Sequence, residues 1–501
     1  MALVEKLKEE LRTHALLSSV IELLTWDQEV CMPKAGVAHR AAVLGSLMGL
    51  LHQYLTERLI PSLREAQESN YFTEEERRSI SILLEEFEPA EKIPPPLVQA
   101  FSEASSLAQG VWVEAREKAD FELFAPHLEK LVKLAREKAE ALGYEREPYE
   151  ALLRLYERSI SPAELERLFG EVRPFLMETI RLCHDRELEG LDGPPLQLSP
   201  SAQRQLVEEV LRQMGYDLSR GRIDVSAHPF CAGFNPDDVR LTIRIFEEDL
   251  TMALGSAMHE MGHALYEQGL QREPLGWPPT LSASLSIHES QSRFWENHVG
   301  NALSFWEYLY QKVFPKYQPA WLSSYTPLTL TRKVNRISPN LIRIQSDEVS
   351  YHLHILLRFE LERGLINGEL SVRDLPAAWN EKIYTYLGLE VPNNAKGVLQ
   401  DIHWAMGNFG YFPTYSLGSF YAAQFAAAIS REEPDWEKAL SEGDATVPLQ
   451  WMRKHIHQYG RLYDSQTLCQ QATGEPLSVK YFTEYVRTKV AQLYEGLTVP
   501  I

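Results

Sequence analysis

The chain has 501 residues, with 50 Lys and Arg against 70 Asp and Glu and a formal net charge of −20. Hydrophobic residues make up 44% and charged residues 24%, an ordinary globular balance that excludes wholesale disorder. The acidity excludes general nucleic-acid binding, which draws its affinity from Lys and Arg on phosphates, and disfavours adsorption to an anionic membrane.

The first residues set Leu3, Leu7 and Leu11 on one face among Glu and Lys. This predicts an amphipathic surface helix and lacks the apolar core of a signal peptide. Apolar residues three and four apart predict further helices over about 74–89, 126–142, 162–184 and 201–214. Breaks fall at Pro94-Pro95-Pro96, at Gly193-Pro194-Pro195 and between Pro274 and Pro279. Residues 239–245 instead alternate Val, Leu and Ile with Arg and Thr, which predicts a half-buried strand. Its edge could pair with an extended ligand, or the strand could only brace the next helix. That helix comes directly after it, with Asp249 as N-cap and Gly269 just past its end. The most apolar long stretch, residues 421–429, is too short to span a bilayer. Cys31, Cys183, Cys231 and Cys469 are widely spaced, as expected of free thiols in a cytoplasmic protein. Fold class is therefore expected to be mainly α, with a small β element beside one helix.

The helix beside the strand carries His259-Glu260-Met261-Gly262-His263. Four residues at about 100° each bring His263 within about 40° of His259 on one face, so both imidazoles can bind one zinc ion. Chance predicts on the order of 0.05 such H-E-x-x-H motifs in a chain of this composition. Glu260 stands beside the first ligand, where it can reach a water on the metal. Tyr266 and Gly269 occupy the places where an H-x-x-G-x-x-H extension would need Gly and His, so the third ligand lies elsewhere. Glu289, 26 residues beyond His263, is the leading candidate; His288 and Glu296 are alternatives. Ser286 and Glu289 also have the spacing of a capping box, in which Glu289 would only cap its own helix. Asp347, Glu348 and Asp401 are possible carboxylate partners for the far ring nitrogens of the histidines.

Six motifs in order resemble the carboxypeptidase Taq family of zinc metallocarboxypeptidases. They are His228-Pro229-Phe230; Asp238, Arg240 and Thr242; the H-E-x-x-H helix; His288-Glu289-Ser290-Gln291; Ile342-Arg343 with Ser346-Asp347; and Gly397, Gln400, Asp401, His403 and Trp404. Residues 410–415, Trp26-Asp27 and Met32-Pro33 add to the likeness. Ser346 departs from the family's Ala. The resemblance implies a large helical body with a deep substrate groove and a small β-sheet beside the zinc helix. It implies one metallocarboxypeptidase domain over 1–501: about 1–220 roofing the groove, about 221–430 the catalytic core, and about 431–501 C-terminal helices. It implies zinc on His259, His263 and Glu289, with cobalt able to substitute, and Glu260 as catalytic base. It implies peptides with a free C-terminus as substrates, broad preference and a homodimer; the acidity already argues against a nucleic-acid or membrane partner.

The metal site alone does not separate internal from terminal cleavage. Recognition of a free carboxylate needs a cationic fork, which Arg343 or Arg240 could supply. A developing oxyanion needs a donor besides the metal, and Tyr415, Tyr411, His228 and His403 are candidates.

Overall fold

The computed structural model describes residues 2–184, 186, 188 and 190–500, and helices dominate it. The chain divides into two compact units that interleave along the sequence. The first takes Met1–Glu91, Gly190–Val334 and Phe425–Pro476; the second takes Lys92–Glu189, Asn335–Gln424 and Leu477–Ile501. Among the described residues no helix is long and apolar enough to cross a membrane. All four cysteines are free.

Local signals explain where most helices begin. Thr73 and Glu76 close a reciprocal capping box at the start of Glu74–Phe87. Ser161 and Ser199 cap helices Pro162–Cys183 and Pro200–Gln213, each opening on a proline whose missing N–H costs nothing there. The helix expected from about residue 126 begins earlier, at Phe121, because Asp120 accepts from the Glu122 N–H. Pro126 sits inside it without ending it.

In the first unit, Leu7 and Leu11 of the opening helix Ala2–Val30 are buried in a core with Leu59, Leu63, Leu83 and Trp277. The unit also holds a three-stranded sheet, β1 (Gly221–Val225), β2 (Cys231–Asn235) and β3 (Asp238–Ile243), in the order β1-β3-β2. β1 runs parallel to β3 and β2 antiparallel to it, with Leu241 opposite both Ile223 and Cys231. β3 is thus central and paired on both edges, so neither is open to an extended ligand. It ends at Ile243, two residues early, because the Gln203 side chain takes both backbone groups of Phe246. Val239, Leu241 and Ile243 are fully buried and support the helix Leu250–Gly269.

The second unit is organised around the helix Tyr351–Asn367, which is buried on nearly every side. Leu353, Ile355 and Leu357 supply apolar packing, while His352, His354, Arg358 and Glu362 are buried polar groups that need partners.

Candidate metal centre

Asp249 caps the helix Leu250–Gly269 by accepting from the Thr251 N–H at 2.9 Å. His259 and His263 project from one face, ring centroids 4.9 Å apart. Glu289 comes from the helix Leu285–Arg293, whose N-cap is Ser284, not Ser286. Ser286 is buried inside the helix, and Glu289 is left free of any capping duty. The two helices meet at Gly262, where an added Cβ would lie 2.5 Å from the Gln291 carbonyl oxygen. A larger residue there would push the glutamate away from the histidines. Gly269 likewise serves close approach, not a left-handed helix end: it is the last helical residue, and a Cβ there would strike His457.

The Nε2 atoms of His259 and His263 lie 3.8 and 3.6 Å from Glu289 Oε2. Four ligands at zinc–ligand lengths near 2.05 Å in a tetrahedron stand about 3.3–3.4 Å apart. Two imidazoles and one carboxylate at nearly that separation are the donor set zinc takes, and the three residues form the group suited to holding a metal ion.

The other faces of these ligands are engaged. His259 Nδ1 lies 2.8 Å from Glu296 Oε2, and Arg293 bonds both Glu289 Oε1 at 2.7 Å and Glu296 Oε2 at 3.1 Å. His263 Nδ1 lies 2.6 Å from His288 Nδ1, and His288 Nε2 lies 2.7 Å from Glu267 Oε1. If Nε2 of His263 faces the metal, its Nδ1–H donates to His288, whose own Nε2–H donates to Glu267. Glu296 and His288, candidate ligands by spacing, therefore stand behind the ligands. Glu267 and Arg293 were missed, although each sits four residues beyond a ligand, the spacing at which helical side chains meet.

Electrostatics favours a cation here. Burial, with the neighbouring His288 and His259, holds His263 well below the usual imidazole range and leaves it neutral. Burial also works against charge on His259, but Glu289 and Glu296 overcome it and raise its pKa to about 9. Glu260 is pushed up to about 7, chiefly by burial, with His259 opposing and Glu289 and Glu296 reinforcing.

The remaining sequence candidates fall in two places. His228 is exposed in the loop between β1 and β2. Arg240 on β3 forms a two-pronged pair with Asp238 at 2.8 and 2.9 Å and lies over Trp26, 4.6 Å from its ring centre. Arg343, His403, Tyr411 and Tyr415 gather in the second unit. Arg343 is buried; it bonds Asp401 at 2.8 Å and the Tyr351 hydroxyl at 3.1 Å, and lies 5.2 Å from the Tyr415 ring centre. Asp401 also accepts from Arg358 Nε at 2.7 Å. Burial works against its charge, but Arg358 and Arg343 hold its carboxyl below the usual range. His403 Nε2 is 3.2 Å from the Tyr415 hydroxyl, and the Tyr411 and Tyr415 rings are 5.3 Å apart.

The fifth and sixth motifs hold each other, since Gln400 accepts from the Arg343 N–H and donates to the Leu341 carbonyl. Ser346 is absorbed locally, its hydroxyl donating to the Ile342 carbonyl. Asp347 and Glu348 serve neither histidine: Asp347 accepts from the Ser350 hydroxyl, and Glu348 pairs with Lys489.

Comparison with known proteins finds relatives along nearly the whole chain. Residues 6–490 match the family model of the carboxypeptidase Taq (M32) metallopeptidases. The chain is 39% identical to thermostable carboxypeptidase 1 of Thermus thermophilus, over 98% of this chain and 99% of that one. Among solved structures, an M32 carboxypeptidase from Deinococcus radiodurans superposes with a TM-score of 0.93 at 33% identity, covering 99% of this chain and 100% of that one. A Pyrococcus furiosus carboxypeptidase gives 0.91 at 34% identity, covering 98% and 99%.

Proposed function

The chain belongs to the carboxypeptidase Taq (M32) family and is a metallocarboxypeptidase; from that premise we propose that it releases single amino acids from peptide C-termini with broad preference, using zinc on His259, His263 and Glu289. The observation that carries the reading is the convergence of both Nε2 atoms on Glu289 Oε2. Zinc in that site would polarise the scissile carbonyl and make a water acidic enough to attack near neutral pH. Cobalt would substitute for it.

Glu260 accepts the proton of the attacking water on its carboxylate and passes it to the leaving nitrogen. Glu289 and the two imidazoles are kept oriented by Arg293, Glu296 and His288. Arg343 receives the free C-terminal carboxylate of the substrate. In support, Arg343 and Arg358 share the single carboxylate of Asp401, a positive excess that an incoming anion would balance. Arg240 is the alternative anchor; Asp238 holds its fork much as Asp401 holds that of Arg343, but no second guanidinium shares Asp238 among the contacts of that pair. Tyr415 and Tyr411, with His403 or His228, supply hydrogen bonds to the developing oxyanion. The whole chain is read as one catalytic domain, acting in the cytoplasm as a homodimer.

The test combines elemental analysis with mass spectrometry of a short peptide, free or amidated at its C-terminus, with and without chelator. About one zinc per chain, with chelator-sensitive loss of single residues from the free peptide only, is expected. Cleavage of internal bonds, or of the amidated peptide equally well, would replace this reading with that of an oligopeptidase.

A further inference from the structure

Glu362 lies on the helix Tyr351–Asn367, fully buried. Its carboxylate accepts from three donors. The Trp404 Nε1–H reaches Oε1 at 2.8 Å, and the Tyr149 hydroxyl and the Gly410 N–H reach Oε2 at 3.0 and 3.1 Å. Burial pushes the pKa of Glu362 up to about 7, although these donors and Arg358 pull the other way. An apolar side chain would avoid that cost but would leave buried donors without an acceptor. What the carboxylate supplies is direction, because one group reaches two places in the chain at once. Those places are the two ends of one short segment: Trp404 opens residues 404–410 and Gly410 closes them, and His403 and Tyr411 stand immediately outside. Within the segment the chain is folded tightly, the Gly407 N–H donating to the Trp404 carbonyl at 3.0 Å and the Asn408 N–H to the His403 carbonyl at 2.9 Å. Gly410 has φ +92°, and an added Cβ would lie 2.8 Å from the Leu153 nitrogen, so this end is seated against the helix Pro148–Leu153 that carries Tyr149. Just beyond that helix, Tyr156 packs edge-on against the Tyr411 ring, centroids 5.2 Å apart.

We propose that Glu362 is a positioning residue for the oxyanion side of the reaction: by holding both ends of the segment 404–410, it fixes His403 and Tyr411 relative to each other. The proposal rests on the reading of those two residues as hydrogen-bond donors to the oxyanion. Their rings lie 5.5 Å apart, and His403 Nε2 is 3.2 Å from the Tyr415 hydroxyl, so the segment's two flanks meet in one cluster. Donors of this kind work only from a fixed place, and a displacement of about 1 Å costs on the order of 100-fold in rate. Glu362 acts through the segment and not on the substrate. It stands in none of the six sequence motifs, but its partner Trp404 closes the last of them.

The test is steady-state kinetics of the full, metal-loaded chain on a short peptide with a free C-terminus. E362Q keeps the shape, but either way round its amide NH₂ meets an N–H, that of Trp404 or that of Gly410. It is expected to lower kcat about 30–100-fold, with KM within about threefold and metal content unchanged. W404F removes the indole N–H alone and is expected to lower kcat about 3–10-fold. In E362Q/W404F the amide oxygen can serve Gly410 and Tyr149 with no donor opposed to the NH₂, so kcat should return to the level of W404F. W436F loses a buried indole hydrogen bond to the Ser430 hydroxyl in the first unit, and should lose thermal stability without losing kcat. If E362Q does not fold, W404F against W436F decides. H403N and Y411F report on the oxyanion reading itself. If either lowers kcat while E362Q and W404F stay within about twofold of wild type, or fall only with metal content, the positioning role is overturned and the oxyanion reading stands. A double variant no better than E362Q would overturn the clamp, since the charge of Glu362 would then matter and not its bonds. H403N and Y411F both at wild-type kcat would overturn the oxyanion reading of these residues and the proposal with it.

Discussion

The metal centre of the first unit and the arginine cluster of the second use the same kinds of side chain with opposite balances of charge. Around His259 and His263 stand Glu260, Glu267, Glu289 and Glu296 against one guanidinium, that of Arg293. Around Asp401 stand Arg343 and Arg358. The first set has acceptor atoms converging on a common point and an acidic excess, which a divalent cation resolves. The second has converging donors and a basic excess, which an anion resolves. They also differ in access: the His259 and His263 side chains keep 20% and 16% of their surface, while Arg358 keeps none. Arg358 is therefore a fixed support, and any exchange with a ligand in that cluster falls to Arg343.

The largest effect expected on either side of this contrast is at Glu260. Glu260→Gln preserves shape and leaves all three metal-holding side chains in place, but cannot accept a proton. Turnover should fall about 10²–10⁴-fold with zinc stoichiometry unchanged. Activity within a few-fold of wild type, measured at equal metal content, would remove Glu260 from the chemistry. The matching change in the other cluster is Asp401→Ala, which leaves two guanidiniums buried without their carboxylate. Breaking a buried pair on one side costs about 3–5 kcal/mol, so the midpoint of urea unfolding should drop sharply. A loss below about 1 kcal/mol would mean that Asp401 is not what holds Arg343 and Arg358.

How much of this was legible depends on how far apart in sequence the interacting groups lie. The helical body, the strand beside the ligand helix and the pair His259 and His263 follow from periodicities of 3.6 and 2, which are local. By spacing alone Glu289 was one candidate among three, and the family resemblance singled it out. The structure supplies the physical reason: two helices approach closely at Gly262 and turn Glu289 Oε2 toward both Nε2 atoms, a contact that no spacing encodes. The supports behind the histidines were legible only in part. Glu267 and Arg293 lie at i+4 from ligands, but Glu296 reaches His259 across 37 residues. The capping box at Ser286 was a true local pattern overruled by Ser284, a choice of cap that depends on where the preceding loop enters. In the second unit, Asp401 meets Arg343 and Arg358 across 58 and 43 residues, so its role could not be read from neighbours in the chain.

The chain from His263 through His288 to Glu267 gives a smaller, sharper test of the acidic side. Glu267→Ala removes the acceptor that fixes the His288 ring, and through it the Nδ1–H donor state of His263. Losing such a support weakens metal binding about 10–100-fold, measurable by competition with a chromogenic chelator without any assay of turnover. Glu267→Gln, which keeps an acceptor oxygen, should recover much of that affinity. Equal losses in both variants would mean that the charge, not the orientation, of Glu267 matters.

The smallest effect concerns acid sensitivity of the basic side. Burial lowers the pKa of His403 to about 4; Asp401 opposes this, and Arg343 and Arg358 add to it. An unfolded histidine titrates near 6.5. Between about pH 6.5 and pH 4 the unfolded chain therefore binds a proton that the folded chain refuses, and stability falls as the pH falls through this window. Above 6.5 both states are neutral and the contribution is flat. His403→Asn keeps a polar group beside the Tyr415 hydroxyl but has nothing to protonate. Its thermal midpoint should drop less than that of the wild type between pH 7 and pH 5, with the two curves converging in slope above pH 7. An identical acid slope in the two proteins would place the sensitivity elsewhere, with His354, held neutral by burial beside Arg358 with its pKa lowered to about 3, the next group to replace.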